Sequence, residues 1–295
     1  MKIAFLSAYK PDQIWSTPIS LINEFKSRYS SVEIFTTMEN NQYTDKNLDP
    51  LVEYNPDLLV HTDWGRFLFP TLEKLKKIQG FKVMESGDDP QNFERNLLKA
   101  KYFDLILSPD NETVKKYKNL GHNAEWWTHF ADTRMHQPLE LKEKYVAVSS
   151  RGKGSSQILD TLANYYPGEI INQNGWDGKD HTDFLNSGKM VIQHSRWGEI
   201  TRRIFEGMAC GKLVITDRLH ENTLLDKLFT HKKDIILYDN LQDCAEKISY
   251  YNQHPQERNE IAKKGYLKVL KNHTQKQRVD IIVQQYKKSI NERIL

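Results

Sequence analysis

The sequence predicts an α/β protein built from parallel sheets. Short apolar runs rich in valine, isoleucine and phenylalanine alternate with amphipathic stretches, and the alternation continues to about residue 240. The chain has 295 residues, of which 27% are charged and 38% are hydrophobic. This composition and length indicate a globular chain of about two domains, each able to bury its own core. Disordered chains, coiled coils and minimal scaffolds are excluded.

The first half of the chain is predicted to be a series of βα repeats. Apolar runs predict strands at 3–7, 32–36, 58–61, 81–85 and 105–108. Helical periodicity predicts helices at 19–29, 67–78, 93–101 and 112–119. Because a helix separates most of these strands, we expect parallel pairing through crossovers.

A second βα series follows, and the chain then becomes almost continuously helical. The predicted strands are 145–149, 169–172, 190–194, 213–216 and 235–238, with helices at 155–165, 200–210, 223–229, 241–252, 255–271 and from 275 onward. The segment 128–144 has no strong period and contains Pro138, which is typical of a linker. We expect one domain over 1–134, a second over 135–274, and a terminal helix, 275–295, that packs back on the first domain.

Charge and cysteine content narrow the class of protein further. Lys and Arg total 42 against 39 for Asp and Glu, a net charge of +3, so total charge makes no case for a nucleic-acid or membrane partner. The two cysteines, Cys210 and Cys244, are too few for a disulfide framework and are expected in the core. No apolar run approaches the roughly 18 residues of a membrane span. We therefore expect no stable membrane insertion and a cytoplasmic location.

The most informative stretch is a predicted strand end, loop and helix at 194–210. Glu199, Arg202, Arg203 and Glu206 share one face of that helix at spacings of three and four. They suit a solvated stripe with Glu199–Arg203 and Arg202–Glu206 pairs. Alternatively, the helix start and its arginines bind an anionic phosphate, and Glu206 accepts hydrogen bonds from sugar hydroxyls.

Two other strand-end loops carry candidate groups. Arg151 and Lys153 lie in a Gly- and Ser-rich loop that suits a phosphate cradle or an ordinary basic surface loop. No Walker A or dinucleotide-binding pattern occurs. Asp88 and Asp89 are adjacent carboxylates that suit a general base, or a helix N-cap at Asp89 followed by Pro90.

Metal ligation and aromatic stacking complete the survey of candidate groups. No metal site is predicted, because the histidines are scattered and neither H-E-x-x-H nor D-x-D is present. Trp176 and Trp197 lie in strand-end loops, where their rings either stack on a base or sugar or pack against the protein.

The segment R-I-F-E-G-M-A-C-G at 203–211, followed by a strand, resembles the R-x-F-E-x-x-A-x-G segment of CgeB-like glycosyltransferases, relatives of glycosyltransferase family 4. The tail is similar to the same group: His254 to Arg258 resembles its "HPEER" pattern, Gly265 its isolated glycine, and 272–278 its terminal "HT…R" helix. The segment 85–90 resembles its "DDP" loop.

The resemblance implies a GT-B fold, in which two Rossmann-like domains face a cleft and the second holds a nucleotide-sugar donor without a metal. It implies that Glu206 contacts the donor's ribose or sugar hydroxyls, that Arg203 lies near the diphosphate, and that Arg151 and Lys153 stabilise the departing diphosphate. Family 4 enzymes commonly have a first glutamate eight positions before the second. That position is Gly198 here, with Glu199 beside it.

We therefore expect a metal-independent, retaining glycosyltransferase that uses a nucleoside-diphosphate sugar and no other cofactor. Its acceptor is a hydroxyl group of a glycan or of a modified DNA base, with Asp88 or Asp89 on the acceptor side. Two alternatives stay open: a binding protein for nucleotide sugars or other phosphate ligands without catalysis, and a sugar-nucleotide epimerase of the same fold.

Overall fold

A computed structural model describes residues 1–7, 17–36, 42–62, 66–67, 69–151, 157–174 and 178–294. The chain forms two compact units. The first unit contains Met1–Thr128 and Gln275–Leu295, and the second contains His129–Thr274. The division thus falls a few residues before the predicted domain boundary at 134.

The first unit is built on a parallel sheet of six strands in the order β2-β1-β4-β6-β7-β8. Its strands, with a separate two-stranded pair of β3 and β5, are β1 (Ile3–Ser7), β2 (Val32–Thr36), β3 (Gln42–Tyr43), β4 (Leu58–His61), β5 (Arg66–Phe67), β6 (Phe81–Glu85), β7 (Leu105–Ser108) and β8 (Ala124–Trp126). All five strands that the sequence predicted here are confirmed. Strands buried on both faces need continuous apolar runs, and such runs are visible in a sequence.

Helices connect these strands. They are α1 (Thr17–Arg28), α2 (Asp45–Tyr54), α3 (Phe69–Glu73) with a 3₁₀ turn (Lys74–Lys77), α4 (Phe93–Ala100) and α5 (Asn111–Asn119). Sequence reasoning missed α2, because Pro50 lies inside it. The long helix predicted at 67–78 is instead a short α-helix that tightens into the 3₁₀ turn.

The second unit has a five-stranded parallel sheet in the order β10-β9-β11-β12-β13. Its elements are β9 (Tyr145–Arg151), α6 (Gln157–Tyr165), β10 (Ile170–Asn174), α7 (Gly178–Ser187), β11 (Gly188–Gln193), α8 (Arg202–Ala209), β12 (Leu213–Asp217), a 3₁₀ turn (Glu221–Thr223), α9 (Leu225–Leu228), β13 (Ile236–Tyr238), α10 (Leu241–Gln253) and α11 (Pro255–Asn272). The polar helix α7 was not predicted.

The terminal helix α12 (Gln275–Ile294) belongs to the first unit, although it follows the second in the chain. It is held there by polar contacts. Arg278 is buried and donates from Nε to the carbonyl oxygen of Thr128 at 2.8 Å, and Arg28 of α1 pairs with Asp280 at 2.6 Å. No helix in the described part of the chain is long and apolar enough to cross a membrane.

Candidate functional site

The carboxyl edge of the second sheet gathers polar groups from three neighbouring strands. All five strands run in the same direction, so the loops that follow them meet at this edge. His194 follows β11, Asp217 ends β12, and Tyr238 ends β13. His194 Nδ1 lies 2.8 Å from the Tyr238 hydroxyl, which also donates to the carbonyl oxygen of Gln193 at 3.1 Å. The strand ends are therefore tied together.

Asp217 fixes the start of the loop after β11. Its Oδ1 accepts the Ser195 N–H at 2.9 Å, and its Oδ2 lies 3.8 Å from His194 Nδ1. Burial raises the pKa of the Asp217 carboxyl. The loop that carries the predicted donor residues is thus anchored by the neighbouring strand.

Glu199 folds the rest of this loop around its own carboxylate. Its Oε2 accepts from the Ser195 hydroxyl at 2.8 Å and from the Trp197 N–H at 2.7 Å, and its own N–H donates to Ser195 Oγ at 2.7 Å. Gly198, between them, has φ of +75°, a conformation that favours glycine. A glutamate at 198 in place of glycine would be strained there. The structure thus uses Glu199 to shape the loop.

Trp197 is the exposed aromatic residue of the loop. Its side chain is 45% exposed, and the Arg196 guanidinium lies over its ring at 4.3 Å from the centroid. The pair presents a planar and cationic surface at the carboxyl edge of the sheet.

Helix α8 buries its apolar face and directs Arg203 to the end of β11. Ile204, Phe205 and Met208 are buried. Arg203 Nε donates to Gln193 Oε1 at 2.8 Å, and burial lowers the pKa of its guanidinium. Of the two ion pairs that the solvated-stripe interpretation required, Arg202–Glu206 forms, at 2.6 Å. Glu199 is instead engaged in the loop.

Glu206 is the centre of a buried charged cluster. Its Oε1 lies 2.6 Å from Arg202 Nε and 3.7 Å from His136 Nε2, and its Oε2 lies 4.0 Å from His181 Nε2. Burial alone would raise the pKa of this carboxyl, but the positive charge of Arg202 and the other basic groups around it lower the pKa to about 2. Glu206 is therefore an anion at neutral pH.

His136 and His181 complete this cluster, and neither was singled out by sequence reasoning. Their rings meet edge to face, with centroids 5.6 Å apart. Burial lowers the pKa of His136 to about 4, so its ring is neutral at pH 7. Neither His136 ring nitrogen has a hydrogen-bond partner in the described part of the chain. The two histidines come from a connecting segment and from α7, so no local pattern joins them to Glu206.

The Asp88–Asp89 loop follows β6 in the first unit. Asp88 has a φ of +54°, in the left-handed region, which is costly for residues other than glycine. Asp89 is buried and accepts hydrogen bonds from Ser86 Oγ at 2.5 Å, Ser108 Oγ at 2.9 Å and Asn96 Nδ2 at 2.9 Å. Burial raises the pKa of Asp89. Asp89 holds the loop together, and Asp88 lies at its turn.

The alternative interpretation of Asp89 as a helix N-cap is wrong. Helix α4 begins at Phe93, with Asn92 at the capping position, and residues 87–92 form turns. The sequence Asp89-Pro90 fits the capping pattern, but the three side-chain donors around Asp89 direct its carboxylate into the protein.

The sequence profile of a family described as "Glycosyl transferase-like" matches residues 134–284, which is just over half of the chain. The chain belongs to the glycosyl transferase-like family. The expected enzyme class, glycosyltransferase, is thereby confirmed. A sequence search of curated proteins finds no match.

Three solved structures are similar to this glycosyltransferase over nearly their whole length. Anabaena HepE in complex with UDP and glucose has a TM-score of 0.68 at 14% identity, covering 99% of this chain and 100% of HepE. Sucrose-phosphate synthase from Thermosynechococcus elongatus has a TM-score of 0.67 at 11% identity, with the same coverage. A glycosyltransferase from Rickettsia africae has 0.65 at 11% identity, covering 97% and 98%. The predicted GT-B fold class is confirmed.

The structure of this family member brings some predicted residues together, while others lie outside the described residues. Gly198, Glu199, Arg203 and Glu206 lie on one loop and helix of the second unit, with Trp197 on the same loop. Arg151 ends β9 in the same sheet. Lys153 and Trp176 lie outside the described residues, as does the side chain of Arg151.

Proposed function

We propose that this glycosyltransferase transfers a sugar from a nucleoside-diphosphate donor to a hydroxyl acceptor, with the donor bound at the carboxyl edge of the second unit's sheet. The observation that carries the proposal is the anionic Glu206 on α8, one turn after the loop shaped by Glu199. Two further facts support it. The family match includes this whole segment, and HepE, which is similar in fold, has been crystallised with UDP-glucose.

In this proposal each predicted donor residue has a separate role. Glu206 accepts hydrogen bonds from ribose or sugar hydroxyls, since an ionised carboxylate is a strong acceptor. Arg203 lies near the diphosphate, and Arg151 with Lys153 neutralises the charge that develops as the diphosphate leaves. Gly198 and Glu199 keep the loop shape, while Trp197 and Trp176 offer ring surfaces for a base or sugar.

The bond between the anomeric carbon and the diphosphate oxygen breaks, and a bond between that carbon and the acceptor oxygen forms. The nucleoside diphosphate leaves with the electron pair of the broken bond, and the acceptor's proton passes to solvent. Fixed cations stabilise the leaving group, so this step uses no metal ion and no cofactor besides the donor. We propose retention of anomeric configuration, as in the CgeB-like group. Asp88 is the acceptor-side candidate, with Asp89 holding its loop. The acceptor is a hydroxyl of a glycan or of a modified base in DNA.

Turnover of UDP-glucose tests this function directly. We expect release of UDP that depends on an added hydroxyl acceptor, and a glycosylated product whose anomeric configuration NMR can assign. Glu206→Gln and Lys153→Ala should each lower turnover by about 100-fold or more, because each removes a charge aimed at the donor. Matched controls are Glu260→Gln and Lys233→Ala, which change exposed residues of the same unit.

Three outcomes would contradict the proposal. Donor binding without any turnover would indicate a binding protein, and conversion of the donor sugar without an acceptor would indicate an epimerase. Near-normal turnover in both Glu206→Gln and Lys153→Ala would refute the assigned site. A panel of other nucleotide sugars extends the assay if UDP-glucose is not the donor.

A further inference from the structure

The cluster around Glu206 contains three groups that commonly ligate transition metals. One donor atom from each of His136, His181 and Glu206 can be chosen so that all three lie within 4.8 Å of one another. The observed imidazole-to-carboxylate distances are 3.7 Å and 4.0 Å. Donors on a tetrahedral zinc ion, with bonds of about 2.0–2.1 Å, lie about 3.4 Å apart. The two imidazole-to-carboxylate distances would have to shorten by about 0.3–0.6 Å, and a pair of donors at the 4.8 Å limit by about 1.4 Å, to complete such a site.

The burial of His136 is an independent sign that a ligand belongs here. The residue is 2% exposed, and both of its ring nitrogens are without a hydrogen-bond partner in the described ranges. A buried polar group left unpaired destabilises the fold, so such groups are rare and call for an explanation. Its Nε2 is directed toward the Glu206 carboxylate. A cation between the two groups would accept the lone pair of this ring nitrogen.

We propose that His136, His181 and Glu206 bind one transition-metal ion, with zinc the best match to the donor set. Two imidazoles and one carboxylate are a known set of protein ligands for zinc, and they leave a fourth position for water or another oxygen ligand. Imidazole nitrogen suits zinc better than magnesium or calcium, which prefer oxygen ligands.

The surrounding structure holds the two histidines in place. The segment that carries His136 is fastened to α7, which carries His181. The Thr182 hydroxyl donates to the carbonyl oxygen of Met135 at 3.1 Å, and Asn186 both donates to the carbonyl oxygen of Gln137 at 3.1 Å and accepts the Leu139 N–H at 3.0 Å. Ligands positioned in this way lose little freedom when an ion binds.

The positive charge of Arg202 disfavours the binding of a cation at this site. Its Nε lies 2.6 Å from Glu206 Oε1, so the ion must share the carboxylate and bind next to a positive charge. This repulsion lowers the affinity for the metal. Removing the charge with Arg202→Gln should therefore raise that affinity, a result that a fortuitous surface site would not give.

The metal site goes beyond the proposed transfer reaction and supplies no step of it. Glu206 is the group that both proposals use. Because a carboxylate bound to zinc accepts sugar hydroxyls poorly, zinc and donor should compete when both are present. Metal binding is therefore measured without donor, and its failure would leave the transferase proposal intact.

Calorimetric titration of the tag-free, chelator-treated protein with zinc tests the site. We expect one ion per chain, and a visible absorption band when cobalt replaces zinc. His181→Ala and Glu206→Gln should each weaken binding at least tenfold, since loss of even an outer partner of a metal ligand costs about 10–100-fold. His254→Ala changes an exposed histidine of the same unit and should leave the affinity unchanged.

The absence of a stoichiometric ion would overturn the proposal. So would binding that survives both His181→Ala and Glu206→Gln, or that falls equally in His254→Ala. Circular dichroism and thermal unfolding without metal will show whether each variant is folded. If the two ligand variants are unfolded, Arg202→Gln decides: tighter zinc binding supports the site, and unchanged or weaker binding refutes it.

Discussion

Two buried carboxyl groups, one in each unit, show that the neighbouring groups decide whether a buried carboxyl is ionised. Asp89 is 3% exposed and Glu206 is 5% exposed, so their burial is nearly equal. The three hydrogen-bond donors given for Asp89 above are neutral groups, and burial prevails and raises its pKa. Burial also raises the pKa of Glu206, but the combined positive charge of the basic groups around it, Arg202 foremost, outweighs burial and lowers the pKa to about 2.

The two carboxyl groups therefore differ in role: Asp89 shapes a loop, and Glu206 carries a negative charge. Neutral donors fix the orientation of Asp89 without stabilising its ionised form strongly. The basic groups around Glu206 keep it ionised, and an ionised group is what hydroxyl binding or metal ligation requires. Burial alone therefore does not identify a functional carboxylate in this protein.

Glu206→Gln should have the largest effect on stability. The folded-state pKa of about 2 lies below the ordinary value of 4.5, so ionised Glu206 stabilises the fold above that value and the stabilisation is lost as pH falls toward 2. The full shift corresponds to roughly 3 kcal/mol, and the stabilisation at pH 7 is smaller than this because His136, which contributes to the shift, is neutral there. Urea denaturation of wild type and variant at pH 7 and at pH 4 should show a difference that shrinks at the lower pH.

Glu260→Gln is the control for that experiment and should change neither the stability nor its pH dependence. A loss that is the same at both pH values would mean that Glu206 acts through packing rather than through its charge. The proposed difference between Glu206 and Asp89 in charge would then be refuted.

Much of the fold could be predicted from the sequence, because apolar runs report buried parallel strands directly. The five strands predicted in the first half match the structure, from β1 to β7. Helices α2 and α7 were missed because each contains a poor helix former: α2 has Pro50 inside it and α7 begins at Gly178. Packing against the rest of the unit overrides their weak intrinsic signal.

The candidate site was only partly predictable, for a different reason. Glu199, Arg203 and Glu206 are close in sequence, so helix periodicity grouped them. His136 and His181 lie far from Glu206 along the chain, and only the fold brings them within about 4 Å of it. The available signal for His136 was a histidine in the linker, two residues before Pro138. Such a histidine is too common in proteins to indicate a site.

Ser108→Ala should have a smaller effect, in the first unit. It removes the donor that lies 2.9 Å from Asp89 Oδ2, and loss of one such hydrogen bond costs about 1 kcal/mol. It should also raise the pKa of Asp89 further, since that bond favours the ionised carboxyl. Urea denaturation across pH 4–7.5 measures both effects. Ser27→Ala is the control; it changes an exposed residue of α1 whose hydroxyl donates to the carbonyl oxygen of Glu24.

Asp89→Asn should have the smallest effect, with a pH dependence opposite to that of Glu206→Gln. Because the folded pKa of Asp89 is raised above 3.8, its contribution to stability is present at low pH and is lost as pH rises through that raised value. Asparagine cannot ionise, so wild type should lose stability relative to the variant between pH 4 and pH 7.5. The difference should stay below about 1 kcal/mol, since the neighbouring hydroxyls can reorient toward an amide.

The same titration judges whether Asp89 and Glu206 really differ. If wild type instead gains stability over Asp89→Asn as pH rises, Asp89 is ionised and stabilising in the fold, like Glu206. A charged group near Asp89 would then have to offset its burial, and the loop that carries Asp88 would present charge. If wild type loses stability relative to Asp89→Asn as pH rises, burial disfavours the ionised form of Asp89. Of the two buried carboxylates, Glu206, beside Arg202, is then the one that provides a negative charge.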